Sequence, residues 1–150
     1  MKEIHEPMIA TWPKVIKPGS ISNHISAFFD VMPTFAAITG AAIPDDVCGI
    51  SFLPTLKGEY DKQKQHEYLY WEFPGSGGQM AVRIGNLKAL RKNMHKSNLK
   101  WELYDLDNDP TEMTDISSKH PEVIEKVEEI VSREHTVSLY EPFKFRVLGE

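Results

Sequence analysis

Cysteine is nearly absent from this sequence. Cys48 stands alone among 150 residues, which excludes an internal disulfide and leaves the redox compartment unmarked. No apolar run approaches the roughly 20 residues a membrane span needs, and the opening MKEIHEPMIATWP lacks the apolar segment of about 7–15 residues that a signal peptide carries. As written, the chain is expected to stay in the cytoplasm and out of the membrane. Basic charge is also short: 17 Lys and Arg against 22 Asp and Glu give a net charge of −5. The basic residues are scattered, so there is no field for a nucleic-acid backbone, and no nucleic-acid partner is expected. Histidines 5, 24, 66, 95, 120 and 135 form no HxH or HxxxH pair of the kind that holds zinc. What is present is 41% apolar and 10% aromatic content, enough to bury a core of single-domain size.

Organisation changes near residue 58. Met8–Trp12 reads as a short strand ended by Pro13, and KPGS at 17–20 as a turn. A helix is expected over Asp30–Thr39, with Asp30 as N-cap, Pro33 in the first turn and Gly40 at the left-handed C-terminal position. Val31, Phe35 and Ile38 would form its buried stripe. A shorter helical turn follows Ser51, using Phe52, Leu53 and Leu56 before Gly58. The polar segment EYDKQKQ at 59–65 reads as a linker between residues 1–58 and 59–150.

Beyond it the apolar period becomes two. EYLYWEF, QMAVRIGN, LKALRK and WELYDL predict four strands, with turns at PGSGG, at Gly85-Asn86 and through NMHKSN. HPEVIEKVEEIVSR places Val123, Val127 and Ile130 in line with Glu134, and Ile124 and Val131 beside them. With Pro121 at the first helical position, this predicts an amphipathic helix covering one face of the sheet. The fold class expected is α+β. The tail YEPFKFRVLGE shows strand-like alternation.

Three motifs invite a chemical reading, and each has a plainer one. GSGG at 75–78 misses the third glycine of the dinucleotide fingerprint, is followed by a strand pattern and lacks the Lys-Ser/Thr of a phosphate loop. A hairpin turn using the positive φ angles of glycine accounts for it. Asp105, Asp107 and Asp109 begin like a calcium loop, but its sixth and twelfth positions hold Pro110 and Ile116 instead of glycine and glutamate. Turn capping accounts for them. Cys48, in DDVCGISF, has no nearby base to hold a thiolate and is expected as a small core residue.

The order of segments is more telling than any one of them. EPMIATWPKVIKPGS, FFDVMPTFAAITGAAIP, DVCGISFLPTLKG, YLYWEFPGSGGQMAVRIGNLKALR and WELYDLDNDPTEMTDISSKHPEV follow one another from about Glu6 to Arg133 as in the carboxy-terminal third of the sulfatases, the arylsulfatases and glycan sulfatases. The resemblance implies an alkaline-phosphatase-like α/β core ending in a four-stranded sheet packed by a helix. Residues 1–58 would then be a strand–helix remnant of that core and 59–150 the carboxy-terminal subdomain. It also implies a calcium ion and a formylglycine nucleophile in the complete enzyme. Neither belongs to this chain: Cys48 is followed by Gly49-Ile50-Ser51-Phe52 and does not match the family's C/S-x-P/A-x-R motif, so no catalytic residue is assigned.

By the resemblance, the complete enzyme acts on a sulfated carbohydrate or aryl sulfate, and the first hairpin borders the substrate. Trp71, Phe73 and Gln79 are the substrate-binding candidates, since aromatic faces suit sugar rings and an amide suits hydroxyls. Where many relatives read WEFHE, this sequence has Pro74, which removes one polar group from the tip. Parent enzymes are often periplasmic or secreted. Two other readings stand beside this one: a free-standing binding module derived from a sulfatase, and part of a related phosphodiesterase-type hydrolase. Taken alone, the chain is expected to lack sulfatase activity and to self-associate, rearrange its first 58 residues or leave them mobile.

Overall fold

The computed structural model describes residues 6–150, so His5 lies outside the described residues. The chain divides into two compact units, 6–67 and 68–150. The division lies nine residues beyond the expected linker start, because the linker is tied to the first unit. Gln63 Oε1 accepts from the N–H and hydroxyl of Thr55, at 3.1 and 2.8 Å, and its Nε2 donates to the Ser51 carbonyl.

The unit spanning residues 6–67 contains two helices, α1 (Val31–Thr39) and α2 (Leu53–Lys57). Each ends where the sequence predicts, at a left-handed glycine, Gly40 and Gly58. The strand expected at Met8–Trp12 does not form, because among the described residues this unit holds no strand to pair with it. Asp30 is buried but makes no cap bond to α1. Its carboxylate instead accepts from the N–H groups of Ala27 and Ile50, both at 2.7 Å, and from His66 Nε2 at 2.9 Å. It fastens three segments at one point.

That fastening decides which side of α1 faces in. Thr34 donates to the Asp30 carbonyl at 2.7 Å and accepts from the Phe52 N–H at 2.9 Å, so Pro33 and Thr34 are buried and Phe35 is exposed. The expected stripe of Val31, Phe35 and Ile38 is not the buried one. The 49–52 segment lies so close that a Cβ on Gly49 would sit 2.3 Å from the Phe29 carbonyl oxygen. Met8, Ile9, Ile21, Phe28, Met32 and Phe35 are all exposed in this unit.

The second unit is the expected sheet: β1 (Leu69–Phe73), β2 (Gln79–Ile84), β3 (Leu87–Lys92) and β4 (Trp101–Asp105), a meander in that order with every neighbour antiparallel. Helix α3 (Pro121–Glu134) buries Val127, Ile130 and Val131 against Met80, Val82, Ala89 and Leu103. Arg91 reaches from β3 to Glu128 on α3 and lies 4.2 Å over the Trp101 ring, whose Nε1 donates to the same carboxylate at 2.9 Å. The tail is not a strand. It forms two 3-10 turns, Glu141–Phe143 and Arg146–Leu148, and sends Phe145 into the core.

Candidate functional site

In an antiparallel ladder, residues directly opposite share a face, as do residues two apart on one strand. Trp71 stands opposite Ala81, and Phe73 opposite Gln79. The three predicted site residues therefore lie together on the sheet face opposite α3, at the hairpin end. Trp71 packs against the small cluster of Ala81, Leu90 and Tyr104, Gln79 is half-buried, and Phe73 is 49% exposed. The Phe73 ring lies over Gly75, where a Cβ would come within 2.9 Å of it.

The turn between them is tightly bonded. Ser76, Gly77 and Gly78 all take positive φ, which a type-matched hairpin requires and glycine supplies. The Gly78 N–H donates to the Gly75 carbonyl at 3.0 Å, and a strand follows, not a helix. The glycines shape a turn, not a phosphate cradle.

Residues of the β3–β4 connection hold that turn from the side. The N–H groups of Met94 and His95 donate to the carbonyls of Gly78 and Gly77, at 3.1 and 2.9 Å. His95 Nε2 donates to the Pro74 carbonyl at 2.8 Å; a carbonyl only accepts, so this nitrogen carries the proton. The His95 ring stacks on Phe145, with centroids 5.8 Å apart. His95 and Phe145 are the residues the sequence reading missed. The partners just named lie 18 to 50 positions apart in sequence, so spacing gives no signal for either.

The acidic run serves the turn after β4. Asp105 accepts from the Asp107 N–H and Asn108 Nδ2, at 3.1 and 2.7 Å, and Asp109 accepts from the N–H groups of Met113 and Thr114, both at 2.7 Å. The Asn108 amide lowers the Asp105 pKa and the Thr114 N–H that of Asp109. Among the described residues, no three His, Cys, Asp or Glu side chains are grouped to hold a metal ion. Cys48 is exposed, not a core residue, since its segment runs along the surface before Gly49. No helix among the described residues is long and apolar enough to cross a membrane.

The model for the carboxy-terminal part of N-sulphoglucosamine sulphohydrolase matches residues 1–136. The chain belongs to the sulfatase family. It is 33% identical over 142 residues to an ulvan-active sulfatase of Formosa agariphila, covering 75% of this chain and 28% of that one. It is 34% identical over 120 residues to an N-acetylglucosamine-6-O-sulfatase of Bacteroides thetaiotaomicron, covering 75% and 21%. The chain thus spans about a quarter of the length of the sulfatases it matches. Among solved structures it resembles a protein held in complex with its substrate D-glucosamine-2-N,6-O-disulfate, with a TM-score of 0.64 and 29% identity over 81% of this chain and 27% of that one. A 2-O glycosaminoglycan sulfatase superposes with a TM-score of 0.56 at 27% identity, over 69% and 24%.

Proposed function

We propose that this chain serves as the carboxy-terminal portion of a sulfuric ester hydrolase acting on a sulfated carbohydrate. Residues 1–58 complete the catalytic core, and the hairpin carrying Trp71, Phe73 and Gln79 borders the substrate. The observation that carries the reading is the match over residues 1–136 to the carboxy-terminal part of one sulfatase by a chain covering only 28% of another. The exposed apolar side chains from Met8 to Phe35 support it, since a surface of that kind is normally covered by protein.

Hydrolysis of a sulfate ester needs an activated nucleophile, cationic groups for the charge developing on the sulfuryl oxygens, and an acid for the leaving alcohol. On this reading those groups come from the catalytic portion of the complete enzyme. The carboxylates that begin like a calcium loop, Asp105 and Asp109, are committed to backbone N–H groups and do not fit the ion. The formylglycine and calcium that the family uses fall to the catalytic portion, and this chain's part is binding and orientation. Phe73, half-exposed at the hairpin end, offers an apolar face to a sugar ring, and Gln79 beside it offers an amide to hydroxyls.

The test is a chimera in which this chain replaces the matching carboxy-terminal segment of the N-acetylglucosamine-6-O-sulfatase. The expected result is sulfate release from a sulfated sugar, with Phe73→Ala raising KM and leaving kcat nearly unchanged. A folded chimera without turnover would overturn the reading.

A further inference from the structure

The tail beyond residue 136 lies outside the family match, yet it is firmly seated. Phe145 is 1% exposed in the core, and its N–H donates to Glu150 at 2.9 Å. The other oxygen of Glu150 meets His135 Nε2 at 2.6 Å. Against Phe145, Gly78 leaves no room for a side chain: a Cβ there would lie 3.0 Å from the ring. With Phe145 turned inward, its two neighbours, Lys144 and Arg146, line a cleft together with His95, Ser97, Glu141 and Val147. The cleft measures about 440 Å³, within the roughly 300–1,000 Å³ of small-ligand sites.

The chemistry of the lining is selective. Lys144 and Arg146 both lean on Glu141, at 2.7 and 3.6 Å, so two cations share one carboxylate and a net positive charge remains. Arg146 is largely exposed and has five N–H donors in a planar fork suited to an oxyanion. Val147 gives the lining an apolar patch, and the Ser97 hydroxyl can exchange hydrogen bonds with a sugar hydroxyl. His95 belongs to the cleft and to the hairpin tip at once, through its bond to Pro74.

We propose that this cleft is a subsite for a sulfated sugar residue, with Lys144 and Arg146 engaging its sulfate and Ser97 a ring hydroxyl. Placing that residue on the hydrolysed glycan rests on the function proposed above; binding itself does not. The test is an NMR titration of the full chain with a chondroitin 6-sulfate tetrasaccharide, its desulfated counterpart and sodium sulfate at matched ionic strength. Only the sulfated tetrasaccharide should shift Met94–Ser97 and Glu141–Val147. Its affinity should fall by about fivefold or more in the Lys144→Ala/Arg146→Ala double variant, the size expected of exposed charge contacts. A Lys119→Ala/Lys126→Ala control should bind as wild type. Unchanged affinity in the first variant, shifts spread over all lysines, or the same shifts from free sulfate would each overturn the proposal. A dead chimera with this binding intact refutes only the proposed function, and an active chimera without it refutes only the subsite.

Discussion

Replacing Phe145 by alanine removes the most deeply buried side chain of the tail. The ring is 1% exposed and packs in the cluster that contains Met80, Met94 and Val131. Rings of His95 and His135 stand 5.8 and 6.3 Å from it. Transfer of such a side chain from water contributes about 1.5–3 kcal/mol, and the unfilled cavity brings the loss for Phe→Ala to about 3–5 kcal/mol. Hydrogen exchange at the β3 amides reads the opening of unit 68–150 alone, avoiding the assumption that both units unfold together. Exchange there should accelerate by roughly two to four orders of magnitude, at about 1.4 kcal/mol per decade. Leu139→Ala is the control: it lies in the same tail but is fully exposed, and the cost should stay within about 0.5 kcal/mol. Should Phe145→Ala prevent folding outright, Phe145→Leu, a smaller truncation, should fall between the two. The reasoning is refuted if Phe145→Ala costs no more than Leu139→Ala, because the tail would then contribute nothing to the core.

Other expectations follow from the same contacts. His135 sits between Glu72 and Glu150, both at 2.6 Å; burial works against its protonation, but the two carboxylates outweigh it and raise its pKa. Its folded pKa lies above the unfolded one, so its contribution to stability is full below the unfolded value of about 6.5. It is lost as pH rises through the folded pKa, and the stability difference between wild type and His135→Gln should shrink over that range; a difference that grows with pH would contradict this. Asp30→Asn should destabilise unit 6–67 by about 2–3 kcal/mol, since one carboxylate oxygen facing buried donors becomes an NH₂, and loss of amide protection at Ala27 and Ile50 is the readout. The exposed Met8–Phe35 side chains should make the isolated chain self-associate or leave those residues poorly protected, and sedimentation of a compact monomer with a protected 6–58 segment would argue against that.

Legibility in the sequence divided along physical lines. The four strands and α3 were readable because their apolar residues repeat at two and at about 3.6 and the turns carry Gly, Asn and Pro where the backbone needs them. The buried side of α1 was not, because a polar network through Asp30, Thr34 and His66 fixes it, and the partners are 18 to 36 residues apart. Met8–Trp12 carried a strand pattern, but a pattern supplies only one half of a ladder. At the candidate site, placing Trp71, Phe73 and Gln79 on one face required only the hairpin register. His95 and the tail required the tertiary fold, since only there do residues 74–78, 93–97 and 144–146 meet.

On the function proposed above, the chemistry of sulfate hydrolysis lies outside these 150 residues, and their part is to complete and shape the enzyme. The most direct measurement is turnover of an aryl sulfate and of a 6-O-sulfated sugar by the purified chain, with and without calcium, beside the chimera carrying it. The account predicts sulfate release by the chimera and none by the chain; calcium-dependent turnover by the chain alone would contradict it.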